Sequence, residues 1–205
     1  MGKVRSAKRA TASLVKGQRF TRREAALLAG VKLSTIDKAI EQHVLPVKKA
    51  GGQTLTDPDG IALVKIFDLV GMPLPVKVKR RVRVWVVTDK PYLAGDEPKL
   101  LVTDVLAVSC SAAVSEVAKG AVSYGELRDR YIEENPRRRG GEPVISGTRL
   151  GVYGIAERMN RGETIETLLE DYPYVPPEAF ETARIYAAAH PPLGRPVKPW
   201  RNPSG

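Results

Sequence analysis

The alternation of apolar and polar positions divides this chain into short units with clear end signals. Thr21 is placed to cap a helix, Glu24 follows three residues later as in a capping box, and Ala25, Ala26, Leu27 and Leu28 form its body. Ala29-Gly30-Val31 breaks that helix, and a second runs from Leu33 or Ser34 to about Gln42. Ile36 and Ile40, one turn apart, point it inward and leave Thr35, Asp37 and Lys38 outside. Residues 45–49 and 53–56 then flank Ala50-Gly51-Gly52 as two extended runs around a turn, the pattern of a β-hairpin. Asp57-Pro58-Asp59 supplies a cap and an N-terminal proline for a further helix marked by Ile61, Val64 and Phe67 or Asp68 and ended at Gly71.

The middle of the chain is more ambiguous. Val76 to Val87 alternates in the β manner and is rich in valine, yet Val78, Val82, Trp85 and Val86 also fall at helical spacing after Pro75. Both readings stand, with a lean to helix as an extension of the preceding unit. Leu100 to Val108 reads as a strand, and Ser123 to Asn135 as a helix with Leu127 and Tyr131 on one face. In the last third, Glu142 to Ile145 is a short strand. Val152, Ile155, Ala156 and Met159 mark a helix stopped by Gly162. Thr164 caps another, with Ile165, Leu168, Leu169 and Tyr172 on its face, and Pro176-Pro177 begins a third carrying Phe180, Ala183 and Ala187. The closing LGRPVKPWRNPSG is proline-rich, basic and expected to be extended.

These elements predict a mainly α fold with small β elements. The expected parts are a basic arm (1–19), a winged helix-turn-helix unit (20–75), and a connecting segment of mixed α and β structure (76–134). A strand-and-three-helix unit (135–192) and an extended basic tail (193–205) complete the chain. The charge is unevenly divided. Residues 1–90 carry 19 Lys+Arg against 7 Asp+Glu, a balance of +12, whereas residues 91–205 carry 14 against 16, a balance of −2. A basic half joined to a slightly acidic one suggests nucleic acid as the partner of the first and something else as the partner of the second. The arm's composition also fits an organellar transit peptide. No apolar run is long enough for a membrane span, so no membrane partner is expected. Cys110, the single cysteine, lies in an apolar stretch and reads as a buried, inert thiol.

Residues 20–42 followed by the Gly-Gly hairpin resemble the winged helix-turn-helix of MerR-like regulators, with Ala26 at the helix contact, Gly30 in the turn, and Val31 and Ile36 beneath. Such a unit must stand its second helix clear of the core to enter a major groove. The resemblance implies that Lys32, Ser34, Thr35 and Lys38 face operator DNA. It also implies that Lys48, Lys49 and Gln53 on the wing reach the backbone or minor groove, and that Arg22 and Arg23 neutralise phosphates.

A second resemblance lies in Gly141-Glu142-Pro143-Val144-Ile145, Gly147-Thr148-Arg149, Asp171-Tyr172-Pro173 and Tyr186-Ala187, about a quarter of the chain. Together with the trailing Gly194-Arg195-Pro196, this wording is similar to a short domain, long of unknown function, in antitoxins of VapB type. Gly151 departs from it where a proline is common. The resemblance implies a partner toxin of PIN-type ribonuclease fold, whose acidic metal site an inserted guanidinium could block. Arg195 and Arg201, with Trp200 as an apolar anchor, are the candidates for that role. Arg149 either contacts the toxin or pairs with Glu142 or Asp171 to fix the strand-to-helix turn.

The expected function is therefore that of an antitoxin in the bacterial cytoplasm, at the nucleoid when bound to its operator. It would form a homodimer or a larger assembly with its toxin. The competing reading is a free-standing MerR-like transcriptional regulator whose C-terminal unit dimerises or senses a ligand. A nucleic-acid enzyme or its accessory subunit is the weaker third reading, and no enzyme is expected, because no phosphate-binding glycine loop, nucleophile elbow or paired carboxylate motif is present. His43 and His190 each stand at a helix end without a ligand pattern around them, so neither a metal nor a cofactor is expected.

Overall fold

The computed structural model describes residues 17–94, 96–104, 106–134 and 141–192. They form eight α-helices: α1 Arg22–Ala29, α2 Leu33–Glu41, α3 Pro58–Val70, α4 Val76–Asp89, α5 Ala112–Tyr131, α6 Val152–Asn160, α7 Ile165–Asp171 and α8 Pro177–Ala189. Three small antiparallel sheets accompany them. β1 (Phe20–Thr21), β3 (Gln53–Thr56) and β2 (Lys48–Ala50) lie in the order β1-β3-β2, β4 (Lys99–Thr103) pairs with β5 (Leu106–Ser109), and β6 (Ile132–Glu133) pairs with β7 (Val144–Ile145). The protein is mainly helical with small β elements, as the patterning predicts.

Local chemistry accounts for most of these boundaries. Thr21 Oγ1 accepts from Glu24 N while Thr21 N donates to Glu24 Oε2, which completes the capping box at α1. Asp57 Oδ1 accepts from Gly60 N at the start of α3, and Thr164 Oγ1 accepts from Thr167 N at the start of α7. The ambiguous valine-rich stretch is the helix α4, whose Val82 and Val86 are fully buried. Two expectations are corrected. The stretch from Leu100 to Val108 is not one strand but a hairpin, β4 and β5, with a register shift between Leu101 and Thr103. The helix expected from Ser123 begins instead at Ala112 and gives way after Tyr131 to strand β6; Asn135 lies outside the described residues.

The long helix α5 organises the core. With α3 it forms a central pair whose two sides feed two apolar clusters. Ile61, Val64, Ala121 and Tyr124 join Phe20, Ala25, Ala29 and Ile36 on one side. Ala62, Leu63, Ile66, Val114 and Ala118 join Val82, Val86, Tyr92 and Val108 on the other. Helix α3 is thus buried on two faces rather than the single face its spacing suggests. Gly125 on α5 permits a close approach. A Cβ there would lie 2.6 Å from the Gln18 side chain, whose Nε2 donates to Val122 O at 2.8 Å. Gln18, at the end of the expected arm, is therefore buried in the fold.

A third cluster, built on Ile145, Val152, Ile155, Leu168, Phe180 and Ala183, holds β7 and α6 to α8 together, with Tyr131 and Ile132 packed against it. Helix α8 touches α5 and α1 as well as α6. The strand-and-three-helix unit is accordingly seated on the N-terminal unit instead of standing apart from it.

Candidate nucleic-acid interface

The two helices α1 and α2 are set at an angle by Gly30. Its φ of 66° is in the left-handed region, where a side chain is strained, and its N–H closes α1 by donating to Ala26 and Leu27 carbonyls. Ala25, Ala26 and Ala29 from α1 and Ile36 and Ala39 from α2 fill the contact between the helices. The opposite side of α2 is left outside. Lys32, Ser34, Thr35 and Lys38 are all exposed, and Lys32, in the N-cap position, makes no side-chain capping bond.

The hairpin stands beside α2, anchored by the buried Val44 and Leu45. Its register pairs Lys48 with Leu55, Lys49 with Thr54 and Ala50 with Gln53, and Gly51 and Gly52 turn it with φ of 56° and 76°. Lys48, Lys49 and Gln53 are exposed. Arg22, Ile36, Ile40, Leu45, Val47 and Thr54 line the seam between the hairpin and the helices, which leaves no room for a water molecule.

Arg22 and Arg23 occupy the first turn of α1, where the helix dipole disfavours cations. Both are exposed. Arg22 is held in an ion pair with Asp37 at 2.5 Å, a link between α1 and α2 that its spacing did not suggest. All nine side chains expected to face DNA are exposed, so none is consumed by the core.

Cations of α4, outside the nine expected positions, also reach this region. Lys79 Nζ donates to Gln42 Oε1 at 2.9 Å, next to the C-terminal end of α2, and sits 5.7 Å from the Phe67 ring. Its ammonium is held below the usual lysine range, first by burial and then by the charge of Lys38. Arg83 donates to His43 O at 3.1 Å, and His43 itself has a φ of 54° as the chain leaves α2. The signal was present in VKVKRRVRV, where Lys79 and Arg83, one helical turn apart, share a side of α4 once it is a helix.

Behind the interface lies a buried polar centre. Glu24 is 1% exposed. Besides its capping bond it accepts from Arg128 at 2.8 Å and from the Tyr124 hydroxyl at 3.2 Å, and His190 Nε2 is 3.9 Å from it. Arg128 also donates to Arg19 O at 3.0 Å and lies over the rings of Phe20 and Tyr124 at 5.5 and 5.9 Å. Burial, followed by the Glu24 charge, raises the Tyr124 hydroxyl pKa. His190 stacks on Tyr186 at 4.2 Å, and the Tyr186 hydroxyl donates to Glu134.

In the C-terminal unit, Thr148 shapes the turn before α6. Its hydroxyl donates to Ile145 O at 2.8 Å and accepts from Leu150 N at 3.0 Å, with Gly147 at a φ of 74°. Arg149 is exposed on that turn. Asp171, one expected partner of Arg149, is engaged by Arg158. Arg158 also binds Glu163 and donates to the Tyr172 hydroxyl at 3.1 Å. Arg195, Trp200 and Arg201 lie outside the described residues. Among the described residues, no group of three or more His, Cys, Asp or Glu is placed to hold a metal ion, and no helix is long and apolar enough to cross a membrane.

Residues 132–187 match a family model described as "Protein of unknown function (DUF433)". The match covers β6 to α8. A curated relative, "Uncharacterized protein y4eO" of Sinorhizobium fredii (strain NBRC 101917 / NGR234), is 39% identical over 64 residues. That alignment takes in 31% of this chain and 29% of the relative, so the chain spans under a third of the relative's length. The crystal structure of Rv2018 from Mycobacterium tuberculosis aligns with 80% of this chain and 95% of its own, at 16% identity and a TM-score of 0.32. A likeness that slight carries no structural argument.

Proposed function

We propose that this chain binds double-stranded DNA through a winged helix-turn-helix formed by α1, α2 and the β2–β3 hairpin. In this reading the C-terminal unit binds a protein partner, as in an antitoxin that represses its own operon. The observation that carries the DNA reading is the joint exposure of Lys32, Ser34, Thr35 and Lys38 on α2 and Lys48, Lys49 and Gln53 on the hairpin. In this arrangement α2 enters a major groove and the hairpin lysines flank it on the backbone. The +12 charge of residues 1–90 supplies the salt-dependent part of the affinity.

The antitoxin half of the proposal rests on the sequence resemblance of residues 141–191. Its partner would be a ribonuclease toxin of PIN type, contacted by Arg149 and by Arg195, Trp200 and Arg201 of the tail. Two measurements test the whole. Binding of the chain to DNA from its own upstream region should weaken steeply as salt rises, and Lys38→Ala should lower the salt slope by about 0.9. Co-expression with the product of the neighbouring gene should yield a stable complex and restore growth. Salt-dependent DNA binding without any such complex would favour the stand-alone regulator, and no binding to duplex DNA would end the DNA reading.

A further inference from the structure

We infer that helix α4 carries a DNA-phosphate site of its own, formed by Arg80 and Arg83 at the cleft between α4 and the end of α2. The inference rests on the DNA reading above and extends the interface past the two helices and the hairpin. The cleft has a volume of about 540 Å³ and is lined by His43, Arg80, Arg83, Val84, Val87 and Thr88, with no carboxylate among them. Arg80, Arg83, Val84 and Val87 lie on one stripe of α4 at helical spacing, whereas Val82 and Val86 face the core. Arg81 points elsewhere and donates to Val102 O at 2.8 Å.

Arg83 ties this cleft to the hairpin, because it also lines a second, smaller cleft with Arg19, Val47 and Lys48. The one carboxylate there, Asp57, is within 3.7 Å of Arg19. Outside the two clefts, Lys79 is bonded to Gln42 at the end of α2, and the nearby Lys38 charge helps to depress its pKa. Like charges gathered at an open cleft, next to a hairpin that carries two more lysines, suit a polyanion that relieves their repulsion. Arginine is the residue that grips phosphate in two-point fashion. Arg80 is exposed and has no protein partner among the described residues, so it is available for that contact. Arg83 is fixed at the end of α2 by its bond to His43 O and holds its charge in place.

The test measures fluorescence anisotropy of a labelled mixed-sequence DNA duplex with the full chain over a series of salt concentrations. Arg80→Ala should reduce the slope of log K against log salt by about 0.9, and Arg80→Ala/Arg83→Ala by about 1.8. Arg83→Lys, which keeps the charge, should retain the slope. Arg161→Ala/Arg184→Ala removes two charges on α6–α7 and α8 and should leave it unchanged. Circular dichroism confirms folding of each variant, and Arg80→Ala alone is decisive if the double variant unfolds. An unaltered slope in a folded Arg80→Ala protein that still binds DNA overturns the inference, as does an equal fall in the Arg161/Arg184 control. Absence of salt-dependent binding by the unmodified chain would instead remove the DNA reading, and this inference with it.

Discussion

Replacing Arg128 with methionine should destabilise the protein more than any surface change, because it strands a buried charge. Glu24 is 1% exposed and the Arg128 side chain 18%. The guanidinium supplies a 2.8 Å bond to Glu24 and a 3.0 Å bond to Arg19 O, and it covers the Phe20 and Tyr124 rings. Removing one partner of a buried ion pair costs roughly 3–5 kcal/mol. Thr21 N and the Tyr124 hydroxyl still donate to Glu24 in the variant, and Arg128 is not wholly buried. The low end, about 3 kcal/mol, is therefore expected. For a chain of this length, that corresponds to a fall in Tm of very roughly 6–12 °C. Urea unfolding of the full chain, followed by tryptophan fluorescence and circular dichroism, gives the free energies. A cycle with Glu24→Gln and Arg128→Met should return a coupling of at least about 1.5 kcal/mol. A coupling below about 0.5 kcal/mol would refute the claim that this pair joins α1 to α5.

Three other perturbations follow from the same geometry. Gly30→Ala should cost about 1–2 kcal/mol in thermal unfolding, since a Cβ meets no atom within 4 Å and only the left-handed backbone resists it; Gly30→Asn should recover part of the loss. Asp57→Asn should stabilise the protein at neutral pH. Burial, followed by Asp59, raises the Asp57 carboxyl above 3.8, and asparagine keeps the cap on Gly60 N. The contribution of Asp57 is whole below pH 3.8 and is lost as pH rises through its folded value, so the gap between the two proteins should widen over that interval. Urea midpoints from acid to neutral pH would reveal it, and Asp57→Ala, without the cap, should lose about 1 kcal/mol. The Cys110 thiol is pushed up from 9.0 to about 11 by burial, so its stabilising contribution is complete below pH 9 and is lost as pH rises toward about 11. At pH 8 a maleimide should label the folded chain very slowly and the urea-unfolded chain quickly; rapid labelling of the folded form would contradict that burial.

What was legible in the sequence was set by short-range chemistry. Thr21, Asp57 and Thr164 announced helix starts because each bonds a backbone N–H three residues away. Gly30 and Gly71 announced ends because each occupies a left-handed position. The start of α5 was missed for an equally physical reason. Its inward stripe is Val114, Ala118, Ala121 and Gly125, correct in period but made of small residues, so it carries little hydrophobic contrast. Those small residues let α3 and Gln18 approach closely, which is visible only once the partners are in place. The link between Glu24 and Arg128 spans 104 positions, and no local pattern marks it. Among the candidate site residues, the exposure of Thr35 and Lys38 was readable from the helical period of α2. The approach of α4 to the end of α2 was not, because the segment's own period was ambiguous.

The position of Glu24 bears on how the two halves of the chain are related. The carboxylate that caps α1 also holds Arg128 on α5 and lies 3.9 Å from His190 at the end of α8. At 3.9 Å His190 is beyond hydrogen-bond reach of Glu24, so a shift of α8 would act on α1 through the direct packing of α8 on α1 and α5. The Tyr186 bond to Glu134 and its stacking on His190 extend the same connection into the third core cluster. Under the proposed function, a protein seated on the C-terminal unit need not reach DNA to alter binding there. It need only favour one placement of α8, and its effect on DNA affinity would be limited by the difference in its affinity for the two placements. By the same linkage, DNA held by α1 and α2 would tighten or loosen the grip on the partner by an equal factor.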